Sequence, residues 1–331
     1  MNELTVCPGT LKSGYDTYSP ACRKRLFGGK KVNHILPYDV PSQDERIAVK
    51  FLDNRKRLSI SGVQEKLGLV LDGHSLRLNE PEERGQYLLK PIPRDLKNVN
   101  EVPANEHLTM QIARQVYGME VAENGLIFFK NGQPAYLTKR FDVTDKGSKW
   151  GVEDFAGLAG ATSAIGGSNF KYDYSYEAMG TLLRRYVPAW KIEIEKFFRL
   201  VLFNYLFSNG DAHLKNFSLI QTQRGDYRLS PAYDLINTRL HVDDSDFALS
   251  RGLFEEPKRG YKSSFSGKPT SADFIDFGEL IGVSPKRIGK IISPYLEKQP
   301  KLELLVNNSF LGDKSQRAYL LHYATKLNTL R

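Results

Sequence analysis

The stretch "NGDAHLKNF" (209–217) places Asp211 and Asn216 on one short segment, directly after the apolar run "FFRLVLFNYLF" (197–207). A carboxylate there could orient an attacking hydroxyl and accept its proton. An amide oxygen on the same segment could hold a divalent cation. Those are two requirements of phosphoryl transfer. A polar helix end could carry the same two residues, so the pair gains its weight from the residues downstream. The pattern "NFSLIQTQRGDYRLS" reads as a hairpin turning at Arg-Gly-Asp, and "LSPAYDLINT" then delivers a second carboxylate, Asp234, at a strand end. Mg2+ held by Asn216, Asp234 and nucleotide oxygens would suit the preference of that ion for few protein ligands.

Base, amide ligand, hairpin and metal carboxylate occur in protein kinases in this order, with Tyr-Asp-Leu here in the place of Asp-Phe-Gly. Such chemistry also needs a lysine on a strand and an acid on the next helix to position the α- and β-phosphates. "YLLKP" supplies Lys90 and "NEHLTMQIA" supplies Glu106. An edge-strand lysine in water is the plain alternative, which the apolar neighbours Tyr87, Leu88 and Leu89 disfavour. "YLTKRFDV" stands where a hinge between lobes would lie, so the backbone around Lys139 and Phe141 could meet an adenine edge.

Secondary structure must hold these residues in place. The period-2 alternation of "KLGLVLDG", the turn "DGHS" and the return "LRLN" predict a hairpin. "GQYLLKPIP" predicts another strand. "EVPANEHLTMQIARQVYG" predicts an amphipathic helix, with Leu108, Ile112 and Val116 on one face and Gly118 as its stop. "NGLIFFKNGQPAYLTKRFDV" predicts two strands around an Asn-Gly turn. Residues 58–143 thus read β-β-β-α-β-β. The remainder reads mostly helical, with 191–209 as a buried central helix. The expected fold class is α+β, a two-lobed protein-kinase-like fold with a small β-rich N-lobe and a larger helical C-lobe. The expected divisions are an N-terminal extension over 1–50, the N-lobe over 51–145 and the C-lobe over 146–331. The polar, turn-rich stretch 251–270 is expected as a mobile loop.

Composition narrows the function classes. The net charge of +9 favours acidic partners, but the cations are scattered through "RKRL", "KRFD", "LLRR" and "PKRGYK", which a solvated basic surface explains. No apolar run reaches the roughly 20 residues that span a bilayer, and no signal-peptide pattern opens the chain. A cytoplasmic protein with no membrane partner is expected. Cys7 and Cys22 make no disulfide framework, and two reduced thiols in an N-terminal turn outweigh half of a zinc site. No G-x-x-x-x-G-K-[ST] is present, which excludes a Walker-type NTPase.

Taken together, "SISGVQEKLGLVL", "YLLKP", "NEHLTMQIA", "TKRFD", "GDAHLKNFSL" and "LSPAYDL" resemble the HipA family of bacterial toxin–antitoxin Ser/Thr kinases, in family order from about 58 to 240. The resemblance implies that Asp211 is the catalytic base, that Asn216 and Asp234 bind Mg2+, and that Lys90 contacts the phosphates of ATP. It implies a phosphate-covering loop over 60–66, with Ser61, Gly62, Val63, Gln64 and Lys66 at the nucleotide. It places His213 and Lys215 where they could touch the γ-phosphate or the substrate. It further implies an aminoacyl-tRNA synthetase as target, and an antitoxin, HipB-like and DNA-binding, through which the chain would meet DNA only indirectly. Full-length members carry a further N-terminal subdomain before the phosphate loop. The early arrival of that loop, and its Ser-Ile-Ser, resemble the shorter HipT-like branch, in which a small HipS-like protein supplies the missing piece. A phosphate on Ser59 or Ser61 would add nearly two negative charges beside the ATP phosphates. Autophosphorylation there is therefore expected to inactivate. Two other readings stay open: a small-molecule or lipid kinase using the same Asp–Asn–Asp set, and a non-catalytic basic adaptor in an antitoxin–DNA complex.

Overall fold

The computed structural model describes residues 4–40, 65–94, 96–144, 147–256 and 267–331. Ser59, Ser61, Gly62, Val63 and Gln64 of the expected phosphate loop lie outside the described residues, as does 257–266 of the expected 251–270 loop. The chain forms two units. The first gathers Met1–Lys149, Leu240–Val242 and Lys301–Arg317, and the second gathers Trp150–Arg239, Asp243–Pro300 and Ala318–Arg331.

In the first unit, β1 (Leu67–Asp72) and β2 (Ser75–Leu78) form the expected hairpin. Its tight turn needs a left-handed residue, supplied by Gly73 at φ 58°. β3 (Tyr87–Lys90), β4 (Asn124–Phe128) and β5 (Pro134–Lys139) complete an antiparallel sheet in the order β2-β1-β3-β5-β4. Register sets Lys90 opposite Tyr136.

Residues 4–40, read from their turn signals as an extension, contribute to the core of this sheet. α1 (Pro20–Phe27) starts with proline in its first turn, and Ser19 Oγ accepts the Cys22 N–H, satisfying one of the orphan amides of a helix start. Its Cys22, Leu26 and Phe27 pack with Leu69, Tyr87, Leu89 and Leu137 of the sheet. The hydroxyls of Tyr18 and Tyr87 donate to the carbonyls of Leu126 and Leu26 at 2.7 and 2.9 Å, so the buried phenols are satisfied.

α2 (Val102–Gln115) matches the predicted helix but is buried on all sides from Val102 to Ala113, rather than on one stripe. Two of its buried polar side chains find partners individually, whereas both ring nitrogens of buried His107 have no hydrogen-bond partner among the described residues. The Asn105 side-chain amide meets His241 Nε2 at 2.9 Å, and Gln111 Nε2 donates to Asn124 Oδ1 at 2.9 Å.

In the second unit, Ser175 caps α3 (Tyr176–Tyr186) by accepting the Ala178 N–H. α4 (Trp190–Leu206) has no glycine or proline in its interior and buries Phe197, Phe198, Val201, Phe203 and Tyr205. Complete burial of such a side chain contributes roughly 1.5–3 kcal/mol, so the hydrophobic effect fixes this helix as the centre of its unit. Beside it stands a three-stranded sheet, β6 (Val152–Asp154), β7 (Ser218–Gln221) and β8 (Tyr227–Leu229), with β7 in the middle. β7 and β8 are the expected hairpin; β6 is added from far upstream. α5 (Ser271–Leu280) and α6 (Pro285–Ile292) come next in this unit, whereas α7 (Pro300–Asn307) falls in the first unit from Lys301 on, and α8 (Asp313–Leu330) belongs to the first unit through Arg317 and to the second from Ala318. Among the described residues no helix is long and apolar enough to cross a membrane.

Candidate active site

The segment that carries Asp211 is built by the end of α4. Ser208 turns the chain in the left-handed region at φ 54°, and its carbonyl accepts both the amide and the hydroxyl of Thr238, at 3.1 and 3.0 Å. Gly210 donates its N–H to Thr238 Oγ1 at 3.0 Å. A Cβ on Gly210 would stand 2.6 Å from the Cβ of Asp244 and 2.8 Å from the Ser245 carbonyl oxygen, so the position accepts no side chain. Asn209 ties three parts together. Its Nδ2 donates to Asn204 Oδ1 of α4 at 2.9 Å and to the Asp234 carbonyl at 3.3 Å, while its Oδ1 accepts the Asp211 amide at 3.4 Å.

Asp211 is 7% exposed. Its Oδ1 accepts a hydrogen bond from the Tyr172 hydroxyl at 2.9 Å. His213 Nε2 is 3.8 Å from the same oxygen. Burial, then the nearby Lys171 charge, push the His213 imidazole well below its ordinary pKa, so at neutral pH it is an uncharged neighbour and not an ion-pair partner. The ring is 2% exposed and packs edge-on against Tyr172, with centroids 5.1 Å apart. The next turn, Leu214–Asn216, is 3₁₀, closed by the Asn216 amide on the His213 carbonyl at 2.9 Å. The Lys215 carbonyl accepts the Tyr233 hydroxyl at 2.9 Å, which joins this turn to the Asp234 segment.

Asp234 sits at φ 55°, a left-handed conformation uncommon for any residue with a side chain. Its Oδ2 accepts from Asn216 Nδ2 at 3.3 Å. That bond leaves Asn216 Oδ1 buried with no hydrogen-bond partner among the described residues. A buried acceptor without a donor costs roughly 1–3 kcal/mol. Beside a carboxylate, it is what a hard divalent cation would satisfy. Among the described residues no three His, Cys, Asp or Glu side chains cluster to hold a metal by themselves. The Asn216–Asp234 pair therefore fits Mg2+ completed by substrate oxygens and water, and does not fit a closed structural site.

In the first unit, Lys90 Nζ lies 2.7 Å from Glu106 Oε1, and the ring of Tyr136 lies 5.4 Å from the same nitrogen. Two backbone amides near the expected adenine contact are used inside this unit. Lys139 N–H donates to the Glu123 carbonyl at 2.7 Å and Arg140 N–H to the Gln86 carbonyl at 2.9 Å. Glu65 and Lys66 lead half-buried into β1. Structure thus brings Lys90 to Glu106 within the first unit, and Asp211, His213, Asn216 and Asp234 together within the second. Sequence reasoning did not find Tyr172, Asn209, Tyr233, Thr238 or Asp244. Of these, Asn209, Tyr233 and Thr238 lie within the stretches quoted for the motifs, and Tyr172 and Asp244 lie outside them. Cys7 and Cys22 are buried free thiols in the first unit's core.

Known proteins share this geometry's sequence and fold. The profile of the HipA-like C-terminal domain matches residues 58–301. A Haemophilus influenzae protein named "Putative kinase" is 30% identical over 329 residues, covering 95% of this chain and 92% of that protein. The "Serine/threonine-protein kinase toxin HipA" of Shewanella oneidensis is 26% identical, over 83% of this chain and 63% of its own length. Among solved structures, HipA from the Shewanella oneidensis complex of HipA, HipB and operator DNA superposes with a TM-score of 0.62 at 21% identity, covering 84% of this chain and 65% of that one. The shared architecture is the α+β fold expected from sequence, and the chain belongs to the family of the HipA-like C-terminal domain.

Proposed function

We propose that this chain is an ATP-dependent protein kinase of the serine/threonine type and the toxin of a toxin–antitoxin pair. The observation that carries the reading is the arrangement of Asp211, Asn216 and Asp234 in one unit, with the Asn216 oxygen buried and unsatisfied. The similarity to a serine/threonine-protein kinase toxin supports the reaction class.

In this reading the acceptor hydroxyl donates its proton to Asp211 while its oxygen bonds to the γ-phosphorus of ATP. The bond to the β-phosphate oxygen breaks, and ADP leaves. Asn216 and Asp234 would hold Mg2+, which neutralises the phosphate oxygens when bound. Lys90, oriented by Glu106, would bind the α- and β-phosphates. The segment 60–66 would cover the phosphates, and Ser59 or Ser61, or both, would be modified in an inactivating self-reaction. Residues 139–141 would meet the adenine. His213 and Lys215 would touch the γ-phosphate or the substrate.

The target would be a protein of translation, an aminoacyl-tRNA synthetase by family resemblance, and the chain would act in the cytoplasm. A HipB-like antitoxin as partner is supported by the HipA–HipB–operator assembly of the structural relative. The HipT-like assignment and a HipS-like second partner rest on the Ser-Ile-Ser loop.

Phosphoproteomics of cells expressing the chain, compared with cells expressing Asp211→Asn, tests the proposal. A synthetase or other translation protein should gain phosphoserine or phosphothreonine only with the wild type, together with growth arrest. Equal arrest and equal phosphorylation with both proteins would refute it.

A further inference from the structure

Tyr172 stands 39 residues before Asp211 in a segment with no recognisable motif, yet its hydroxyl donates to Asp211 Oδ1 at 2.9 Å. The segment is held there by its main chain as well as by this bond. The Lys171 carbonyl accepts the Leu214 amide of the Asp211 segment at 3.2 Å, and the Tyr172 carbonyl accepts the Ser250 amide at 2.8 Å. The Tyr172 ring packs edge-on against buried His213, and Lys171 Nζ lies 5.0 Å from the ring centroid. A chance surface contact would not be fixed at the ring, at the hydroxyl and at two backbone carbonyls.

We infer that Tyr172 is a positioning residue for the proposed phosphotransfer, fixing the Asp211 carboxylate through Oδ1 so that it faces the acceptor hydroxyl in the attack geometry. The inference rests on the reading of Asp211 as the catalytic base and deepens it. The physical need is specific. An aspartate side chain can turn about two bonds, and a carboxylate must meet the acceptor hydroxyl at hydrogen-bond distance for proton transfer to accompany attack. His213 Nε2, 3.8 Å from Asp211 Oδ1, is too distant for a strong hydrogen bond. Asp244, whose carboxyl is raised by burial and by the Asp211 charge, repels rather than anchors. The phenol is a neutral donor, able to hold the carboxylate without cancelling its charge.

The test uses the full chain with Mg-ATP carrying a labelled γ-phosphate, and follows transfer to the chain itself and to casein. Rates are normalised to the stoichiometry of ATP binding, so that loss of folded protein is removed from the comparison. Tyr172→Phe keeps the ring against His213 and removes only the donor. It should lower the maximal rate by about tenfold or more, with half-saturating ATP changed less than twofold. Tyr172→p-aminophenylalanine, which returns a donor to the same place, should recover most of the rate. A merely packing role predicts no loss with Phe. An unchanged or increased rate with Phe, or no recovery with the amino variant, overturns the inference. Asp211→Asn is measured in parallel. Full transfer by that variant overturns the reading of Asp211 itself, whereas loss there with normal Tyr172→Phe rates overturns only the role of Tyr172.

Discussion

Lys90 Nζ and Glu106 Oε1 lie 2.7 Å apart, with side chains only 5% and 3% exposed. A pair sealed to this degree cannot be halved cheaply, because the surviving charge stays out of water without its oppositely charged neighbour. Glu106→Ala should destabilise the protein by roughly 3–5 kcal/mol in urea denaturation, and the double variant Lys90→Met with Glu106→Leu should recover most of that loss. A single variant as stable as wild type would show that the pair is not buried in solution.

Gly210 is the tightest point of the Asp211 segment. Gly210→Ala must push Asp244 and the Ser245 carbonyl aside, which should cost roughly 1–3 kcal/mol and displace the carboxylate. Gly289 in α6 has open space around its Cα, so Gly289→Ala should be neutral or gain up to about 1 kcal/mol. Thermal unfolding of the two variants side by side checks the contrast, and equal behaviour would contradict it.

The buried, unpartnered oxygen of Asn216 predicts a trade between stability and ligand response. Asn216→Leu should leave the free protein as stable as wild type or more so, since it removes an acceptor whose burial costs roughly 1–3 kcal/mol. It should also abolish the extra rise in melting temperature that Mg2+ adds to ATP. Retention of a full Mg2+ response would remove Asn216 from the metal reading.

His107 is 1% exposed, and burial pushes its imidazole down to about 4. With the folded pKa below the unfolded one, the unfolded chain takes up the proton first. Stability is therefore whole above about pH 6.5 and falls as the pH drops toward about 4, by about 3 kcal/mol for this group. Burial shifts His213 and His241 in the same direction, so they add to the slope. His107→Gln should flatten the decline of urea stability across that window. An unchanged slope would contradict the assignment.

The sequence disclosed what is local. Asp211, Asn216 and Asp234 were legible because a long apolar helix, a polar turn and a hairpin set them at short, ordered spacing. Lys90 and Glu106 were legible because one strand leads almost directly into one helix. Distant partners were hidden. β6 is the three residues Val-Glu-Asp, too short for alternation to register, and it exists only because β7 offers an edge. α1 is basic and opens with proline, so its apolar Cys22, Leu26 and Phe27 do not announce a core helix. The stripe Leu108, Ile112 and Val116 predicted α2 but not its burial on every side, because Asn105 and Gln111 find their partners at His241 and Asn124. Tyr172 was invisible for the same reason: nothing near it in sequence records that its hydroxyl reaches Asp211.

The most direct measurement is transfer of labelled γ-phosphate from Mg-ATP by purified wild-type chain and by Asp211→Asn, matched for folded content by circular dichroism. The predicted result is incorporation by the wild type into serine, including Ser59 or Ser61 by mass spectrometry, and a loss of roughly a hundredfold or more in the variant. Equal incorporation by both proteins, or none by either at saturating Mg-ATP, would contradict phosphotransfer by this chain through Asp211.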